Sequence, residues 1–76
     1  MQEFIAYLIK NLVSEPDAVD VKMLENELGT VFEIRVSKED IARVVGKQGR
    51  TIKSLRTIAI GVGARFGRRV RLEVIN

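Results

Sequence analysis

The sequence predicts a small α+β domain whose elements run α-β-β-α-α-β. Three observations carry that expectation. Apolar residues recur at helical spacing in three segments, and they alternate with polar ones in three others. Gly29, Gly46, Gly49, Gly67 and the single proline fall near the junctions between them, where breakers belong.

The first helix is expected over residues 2–13, where Phe4, Ile5, Leu8, Ile9, Leu12 and Val13 share one face and Glu3, Lys10 and Asn11 fall outside it. That face is read as core. The opposite side lacks the Lys/Arg band of a helix lying on a membrane. Pro16, in Ser14-Glu15-Pro16-Asp17, is read as the stop after this helix. Two strands follow. Val19, Val21 and Met23 alternate with Asp20, Lys22 and Leu24, and Phe32, Ile34 and Val36 alternate with Glu33 and Arg35. Asn26-Glu27-Leu28-Gly29 between them supplies the turn of a hairpin.

Ser37-Lys38-Glu39-Asp40 reads as the start of a short second helix, with Ser37 as N-cap. Ile41, Val44 and Val45 form its inner face, and Gly46 ends it in a left-handed conformation. In the third helix Ile52, Leu55, Ala59, Val62 and Phe66 repeat at helical spacing, and Gly67 is its C-cap. Gly61 and Gly63 weaken that helix by up to about 1 kcal/mol each relative to alanine, which is tolerable where backbone packs closely against a neighbour. Val70, Leu72 and Val74 alternate with Arg69, Arg71 and Glu73 in a last strand.

Residues 1–76 are read as one domain. So short a chain buries a modest share of its surface and should be marginal alone, supported by a partner or a second copy. It has no cysteine and no histidine. Disulfides, thiolate zinc sites and the commonest general base are thereby excluded. Serines and carboxylates are present without a base, a metal cluster or a nucleotide-binding loop beside them. The expectation is a protein that is not an enzyme, with no cofactor, no metal and no small-molecule substrate. The N-terminal segment places Glu3 where a signal peptide would be basic and Lys10 and Asn11 inside its apolar part. No stretch has the length of apolar chain that crosses a bilayer. A cytoplasmic protein without membrane contact is expected.

Charge is divided along the chain. Residues 1–40 hold 4 basic and 9 acidic residues, a net −5, whereas residues 41–76 hold 9 basic residues and the one acid Glu73, a net +8. This asymmetry fits contact with nucleic acid and equally fits a solvated basic half that pairs with the acidic one.

The decisive segment is Gly46-Lys47-Gln48-Gly49, between the second and third helices. A turn with glycine at both ends lets backbone approach a ligand with no Cβ in the way. The helix that begins near Arg50 directs free N–H groups and its positive dipole end toward that turn, a seat for phosphate. Lys47 and Arg50 add charge there, Lys53 and Arg56 continue a basic stripe, and Arg43 lies one turn before Gly46. The candidate phosphate-binding residues are therefore Gly46, Lys47, Gln48, Gly49, Arg50, Lys53, Arg43 and Arg56. Ile41, Val45 and Ile52 could floor a groove beside the stripe, although core is their main role. A P-loop is excluded, because Gly46-Lys47-Gln48-Gly49-Arg50-Thr51 lacks its spacing and its Gly-Lys-Ser/Thr ending. A DNA-reading helix-turn-helix would belong to an all-helical domain, and three strands count against it.

Residues 44–57, Val-Val-Gly-Lys-Gln-Gly-Arg-Thr-Ile-Lys-Ser-Leu-Arg-Thr, resemble the KH signature: an aliphatic residue, G-x-x-G, then an aliphatic residue three positions on. The α-β-β-α-α-β order resembles the type II KH fold, and the whole chain is similar to the bacterial KhpA (YlqC) family of small single-KH proteins. The resemblance implies a three-stranded mixed sheet with three helices packed on it. It further implies single-stranded RNA held by its backbone, the loop glycines at Gly46 and Gly49, the variable loop positions at Lys47 and Gln48, and no catalysis. Its partners would be a second copy or a larger KH protein of the Jag (KhpB) type, in post-transcriptional regulation or RNA chaperoning. The chain departs from the family at Gly61 and Gly63, where alanine-like helix formers are expected.

Of four aromatic residues, Phe4, Phe32 and Phe66 fall on apolar faces and are read as core, leaving Tyr7. Without stacking platforms, binding should be weak, salt-sensitive and loosely selective for sequence, and useful affinity would need two linked sites. The alternative from another class is a dimerisation or protein-interaction subunit for which RNA is secondary.

Overall fold

The computed structural model describes residues 1–75. The α+β expectation and the element order hold, with α1 at Gln2–Lys10, β1 at Asp20–Asn26, β2 at Gly29–Arg35, α2 at Ile41–Val45, α3 at Arg50–Arg65 and β3 at Val70–Val74. Short 3-10 turns stand at Pro16–Ala18, Lys38–Asp40 and Lys47–Gly49. The sheet is three-stranded and mixed in the order β1-β2-β3, with β1 antiparallel to β2 and β2 parallel to β3.

Strand register divides the sheet into two faces. Val21 and Met23 align with Ile34 and Phe32, and Phe32 and Ile34 align with Leu72 and Val74. Because side chains alternate along a strand, these residues share the face that meets the helices. There Val21, Phe32, Ile34, Val70 and Leu72 join Ile5 and Ile9 of α1, Val44 of α2, and Ile52, Leu55 and Ala59 of α3 in one buried core. The opposite face carries Lys22, Glu33 and Glu73 in register, with ion pairs Arg35–Glu33 at 3.8 Å and Arg71–Glu73 at 3.3 Å. Such exposed pairs contribute about 0–1 kcal/mol each and serve mainly to keep that face in water.

The hairpin turn forms as its residues suggest. The Asn26 Oδ1 accepts the Leu28 and Gly29 N–H groups at 2.8 and 3.1 Å, an Asx-type turn. Gly29 then adopts a φ of +143° and lies where a Cβ would crowd the Arg69 backbone. Thr30 N–H bonds the Arg69 carbonyl at 2.8 Å, which starts the β2–β3 pairing.

Several expectations are corrected. Helix α1 ends at Lys10 rather than residue 13, because the Asn11 side chain and N–H both take the Tyr7 carbonyl, at 2.7 and 3.3 Å. Pro16 therefore stops nothing; it opens the following 3-10 turn, where its missing N–H does no harm. Phe4 is 40% exposed, one position and a 100° rotation away from the buried Ile5. Phe66 is 73% exposed, since it lies just past the last residue of α3, where helical phase no longer places side chains. Of the aromatics read as core, Phe32 alone is buried.

Helix α3 is continuous through both glycines. Gly63 is buried against β3, and a Cβ there would come within 3.1 Å of the Arg68 carbonyl and 3.3 Å of the Val70 Cβ. Gly61 is exposed with open space around it, so close packing does not account for it. Gly67, at φ +68°, ends the helix in a Schellman arrangement, with Arg68 N–H on the Gly63 carbonyl at 2.9 Å and Gly67 N–H on the Ala64 carbonyl at 3.1 Å.

Ser37 makes no side-chain cap. Its hydroxyl instead donates to Asp40 Oδ2 at 2.9 Å, and Asp40 is fully buried. The carboxylate also receives Ser14 N–H and Ser14 Oγ–H on Oδ1, each at 2.9 Å, and Glu15 N–H on Oδ2 at 3.1 Å. The Ser14 amide does most to hold its pKa down at about 2. Burial acts in the opposite direction, and the two hydroxyls and the Glu15 amide add to the lowering.

The two glycines of α3 should respond oppositely to alanine. Gly61→Ala gains helix propensity in open space and should stabilise by about 0.5–1 kcal/mol. Gly63→Ala overpacks the α3–β3 contact and should destabilise by about 1–3 kcal/mol. Thermal unfolding of the two variants beside wild type checks both signs.

Candidate nucleic-acid interface

The Gly46–Gly49 turn is built by backbone torsions that few residues tolerate. Gly46 has φ +79° and ψ 173°, an extended positive-φ conformation almost confined to glycine, rather than the left-handed helical one expected. A Cβ on it would stand 2.6 Å from the Thr51 Cβ and 2.8 Å from the Thr51 amide nitrogen. The chain thus reverses against the first turn of α3 with no room for a side chain. Gln48 follows at φ 56°, ψ 27° and Gly49 at φ 75°, ψ 14°, two successive left-handed residues. For Gln48 this conformation costs roughly 1–2 kcal/mol relative to a right-handed one. Gly46 N–H closes α2 on the Ala42 carbonyl at 2.8 Å, and Gly49 N–H closes the turn on the Gly46 carbonyl at 3.1 Å.

At the start of α3 no side chain caps the helix. The Arg50 N–H is taken by the Lys47 carbonyl, but the dipole end of the helix faces the turn with no side chain over it, an arrangement suited to an anion. Lys47 and Gln48 are exposed, as are Arg50 and Lys53. Among the described residues, Lys47, Arg50 and Lys53 form no ion pair, so their charge is available to a ligand. The structure brings together six of the eight predicted residues here: Gly46, Lys47, Gln48, Gly49, Arg50 and Lys53.

Arg43 and Arg56 are engaged elsewhere. The Arg43 Nε lies 3.5 Å from Asp40 Oδ1, so part of its charge is balanced by the buried carboxylate. Arg56 Nε donates to the Leu72 carbonyl at 3.3 Å, on the outer strand β3. Helical geometry explains the divergence: each three-residue step falls about 60° short of a full turn, so the row Arg50, Lys53, Arg56 winds roughly 120° around α3. Arg56 ends in an open groove lined also by Ile60, Val70, Arg71, Leu72 and Glu73. Sequence reasoning omitted Arg71. Its alternating position on β3 was visible, but the sheet order that makes β3 an edge was not. Ile41 and Val45, considered as a groove floor, are half-buried, and Ile52 is core.

No group of three or more Asp, Glu, His or Cys side chains that could hold a metal occurs among the described residues. No helix among them is long and apolar enough to cross a membrane.

Comparison with known proteins decides the family. Residues 2–74 match the family model described as KhpA/KhpB, KH domain. The chain belongs to the KhpA/KhpB KH-domain family. It is 44% identical over 75 residues to the RNA-binding protein KhpA of Chlamydia pneumoniae, covering 99% of this chain and 96% of that one. It is 40% identical over 75 residues to the RNA-binding protein KhpA of Listeria monocytogenes, with 99% of each chain covered. Among solved structures, Era of Aquifex aeolicus bound to GDP and aluminium fluoride superposes with a TM-score of 0.69 at 25% identity, over 96% of this chain. Era in complex with MgGDPNP and nucleotides 1506–1542 of 16S ribosomal RNA gives a TM-score of 0.60 at the same 25% identity. This chain spans only 28% of each Era chain. The fold is that of a type II KH domain.

The turn's two glycines should differ in their tolerance. Gly46→Ala meets Thr51 as well as an unfavourable φ and should destabilise by roughly 2–4 kcal/mol. Gly49→Ala, with nothing near its Cβ, should lose only about 1 kcal/mol. Urea unfolding of both variants measures the difference.

Proposed function

We propose that this chain is an RNA-binding protein, not an enzyme, that holds short single-stranded RNA by its phosphate backbone at the Gly46–Gly49 turn. It works in the cytoplasm as a post-transcriptional regulator or RNA chaperone, either as a homodimer or with a larger KH protein of the Jag (KhpB) type. One observation carries the reading. A turn with positive φ at Gly46, Gln48 and Gly49 abuts the uncapped start of α3, among the cations Lys47, Arg50 and Lys53, which form no ion pair among the described residues. The family match and the curated relatives named as RNA-binding proteins support it.

Each part has a role. Gly46 and Gly49 let phosphate approach the backbone, Lys47 and Arg50 neutralise it, and Lys53 continues the track along α3. Arg56 stands where the track meets β3, and Arg43 contributes a charge already partly balanced by Asp40. With few phosphates neutralised, affinity is modest and falls with salt, by a log–log slope of about −0.7 per phosphate on single strands. Two linked copies raise it by effective concentration.

The second reading, a dimerisation or protein-interaction subunit, is favoured by a different observation. Ile58, Ile60 and Phe66 are exposed at 43%, 55% and 73% on and just after α3. These side chains supply the apolar contact that a dimer needs, so the two readings are compatible, and the question is which activity is primary.

Replacing Lys47 and Gln48 together with aspartate sets negative charge where phosphate should sit, on two exposed side chains whose loss spares the core. RNA crosslinking in cells should fall to background while folding and self-association persist. Crosslinking that survives in the folded, associated variant would place the RNA contact elsewhere.

A further inference from the structure

Helix α2 is five residues long, and Val44 is its one fully buried apolar side chain. Ile41 and Val45 are only half-buried. A helix so short does not sustain itself, and its position depends on tertiary contacts. Its far end is fixed by the Gly46–Thr51 approach. Its near end has a different anchor, the buried Asp40 carboxylate, which takes four hydrogen bonds from three residues. Two of those residues, Ser14 and Glu15, lie 26 and 25 positions away in the connector between α1 and β1. The connector has no other side-chain bond to the α2 end of the molecule among the described residues. Arg43, one turn into α2, turns its guanidinium back to the same carboxylate.

We infer that Asp40 is a positioning residue for RNA: by clasping the Ser14–Glu15 connector and Arg43, it sets where α2 presents the Gly46–Gly49 turn. The inference rests on the RNA reading of that turn and adds a part of the molecule, the connector after α1, that touches no RNA residue. The Asp40 side chain is sealed from solvent and has no unpartnered oxygen, so its contribution to binding passes through α2 rather than through contact.

The chemistry explains why a carboxylate stands there. Two amide N–H groups and two hydroxyls all point inward as donors, and an ionised carboxylate is acceptor-only, so it satisfies them together. Asparagine has nearly the same shape but turns one acceptor into a donor, which opposes an N–H or O–H already in place. Asp40→Asn therefore loosens the clasp with little change in volume. Ser14→Ala removes the hydroxyl donor and leaves both backbone donors, a milder loosening that retains the carboxylate.

The test uses the full chain and a labelled single-stranded RNA of mixed sequence. Affinity is measured by fluorescence anisotropy well below the unfolding temperature, with the fraction folded checked by circular dichroism. In parallel, the Gly46, Gln48 and Gly49 amide resonances of the free protein are followed by NMR. Folded Asp40→Asn should show shifted or broadened loop amides and roughly 3- to 10-fold weaker binding. Its salt slope should be no shallower than wild type, because no phosphate contact has been deleted and Arg43 loses its counter-charge. If Asp40→Asn does not fold, Ser14→Ala carries the same test with a smaller expected loss. Loop amides and affinity unchanged in a folded variant would overturn the inference, as would an affinity loss no larger than the unfolded fraction. Failure of the RNA reading itself looks different: wild type would not bind the RNA, whatever the variants do to the loop amides.

Discussion

At Gly46 the chain must turn from one helix into the next in a space where any Cβ would lie against Thr51. The rest of the interface depends on that approach. It brings the end of α2 onto the first turn of α3, so the uncapped N–H groups of α3 open beside the turn rather than behind it. It also compels the positive φ at Gly46, and the following two left-handed residues complete the reversal. A residue with a side chain at Gly46 would splay the two helices and carry Lys47 and Arg50 apart. The motif's spacing is thus a steric statement first, and its electrostatic consequence follows from the sterics.

The same short module sets the scale of binding. Six predicted residues converge at the turn, but only Lys47, Arg50 and Lys53 bring uncommitted charge. Phosphate contacts of that number give affinity that fades as salt rises. Phe4 and Phe66 prove exposed, contrary to expectation, but Phe66 sits beyond the far end of α3, at the opposite end of a helix roughly 24 Å long, and not beside Gly49. Weak single sites gain by being joined, and the exposed Ile58 and Ile60 on α3 offer the means. In the proposed function, binding and association are complementary demands on one helix, with its start for RNA and its flanks for a partner.

Most of the fold was legible because each signal was local. Alternation along residues 19–24, 32–36 and 69–74 marks the strands observed at Asp20–Asn26, Gly29–Arg35 and Val70–Val74, and the helical spacing of Ile52, Leu55 and Ala59 marks α3. What escaped was non-local. The end of α1 turns on one side chain, Asn11, folding back on the Tyr7 carbonyl. Asp40 read as part of a helix start, since nothing in the order of residues reveals that Ser14 and Glu15 converge on it from across the fold. Gly61 and Gly63 look alike in sequence and differ only because one faces β3 and the other solvent. The glycine turn itself was plain, whereas the departure of Arg56 toward Leu72 required knowing which strand α3 packs beside, and that of Arg43 required knowing that Asp40 is buried.

The central claim is that phosphate is held at the backbone of this turn. The most direct measurement is an NMR titration of the full chain with a short single-stranded RNA, following every backbone amide. The largest changes should fall on Gly46 to Thr51, diminish along α3 past Lys53, and weaken together as salt is raised. Changes centred instead on the Ile58, Ile60 and Phe66 region, with the Gly46–Gly49 amides unmoved at saturation, would contradict the account.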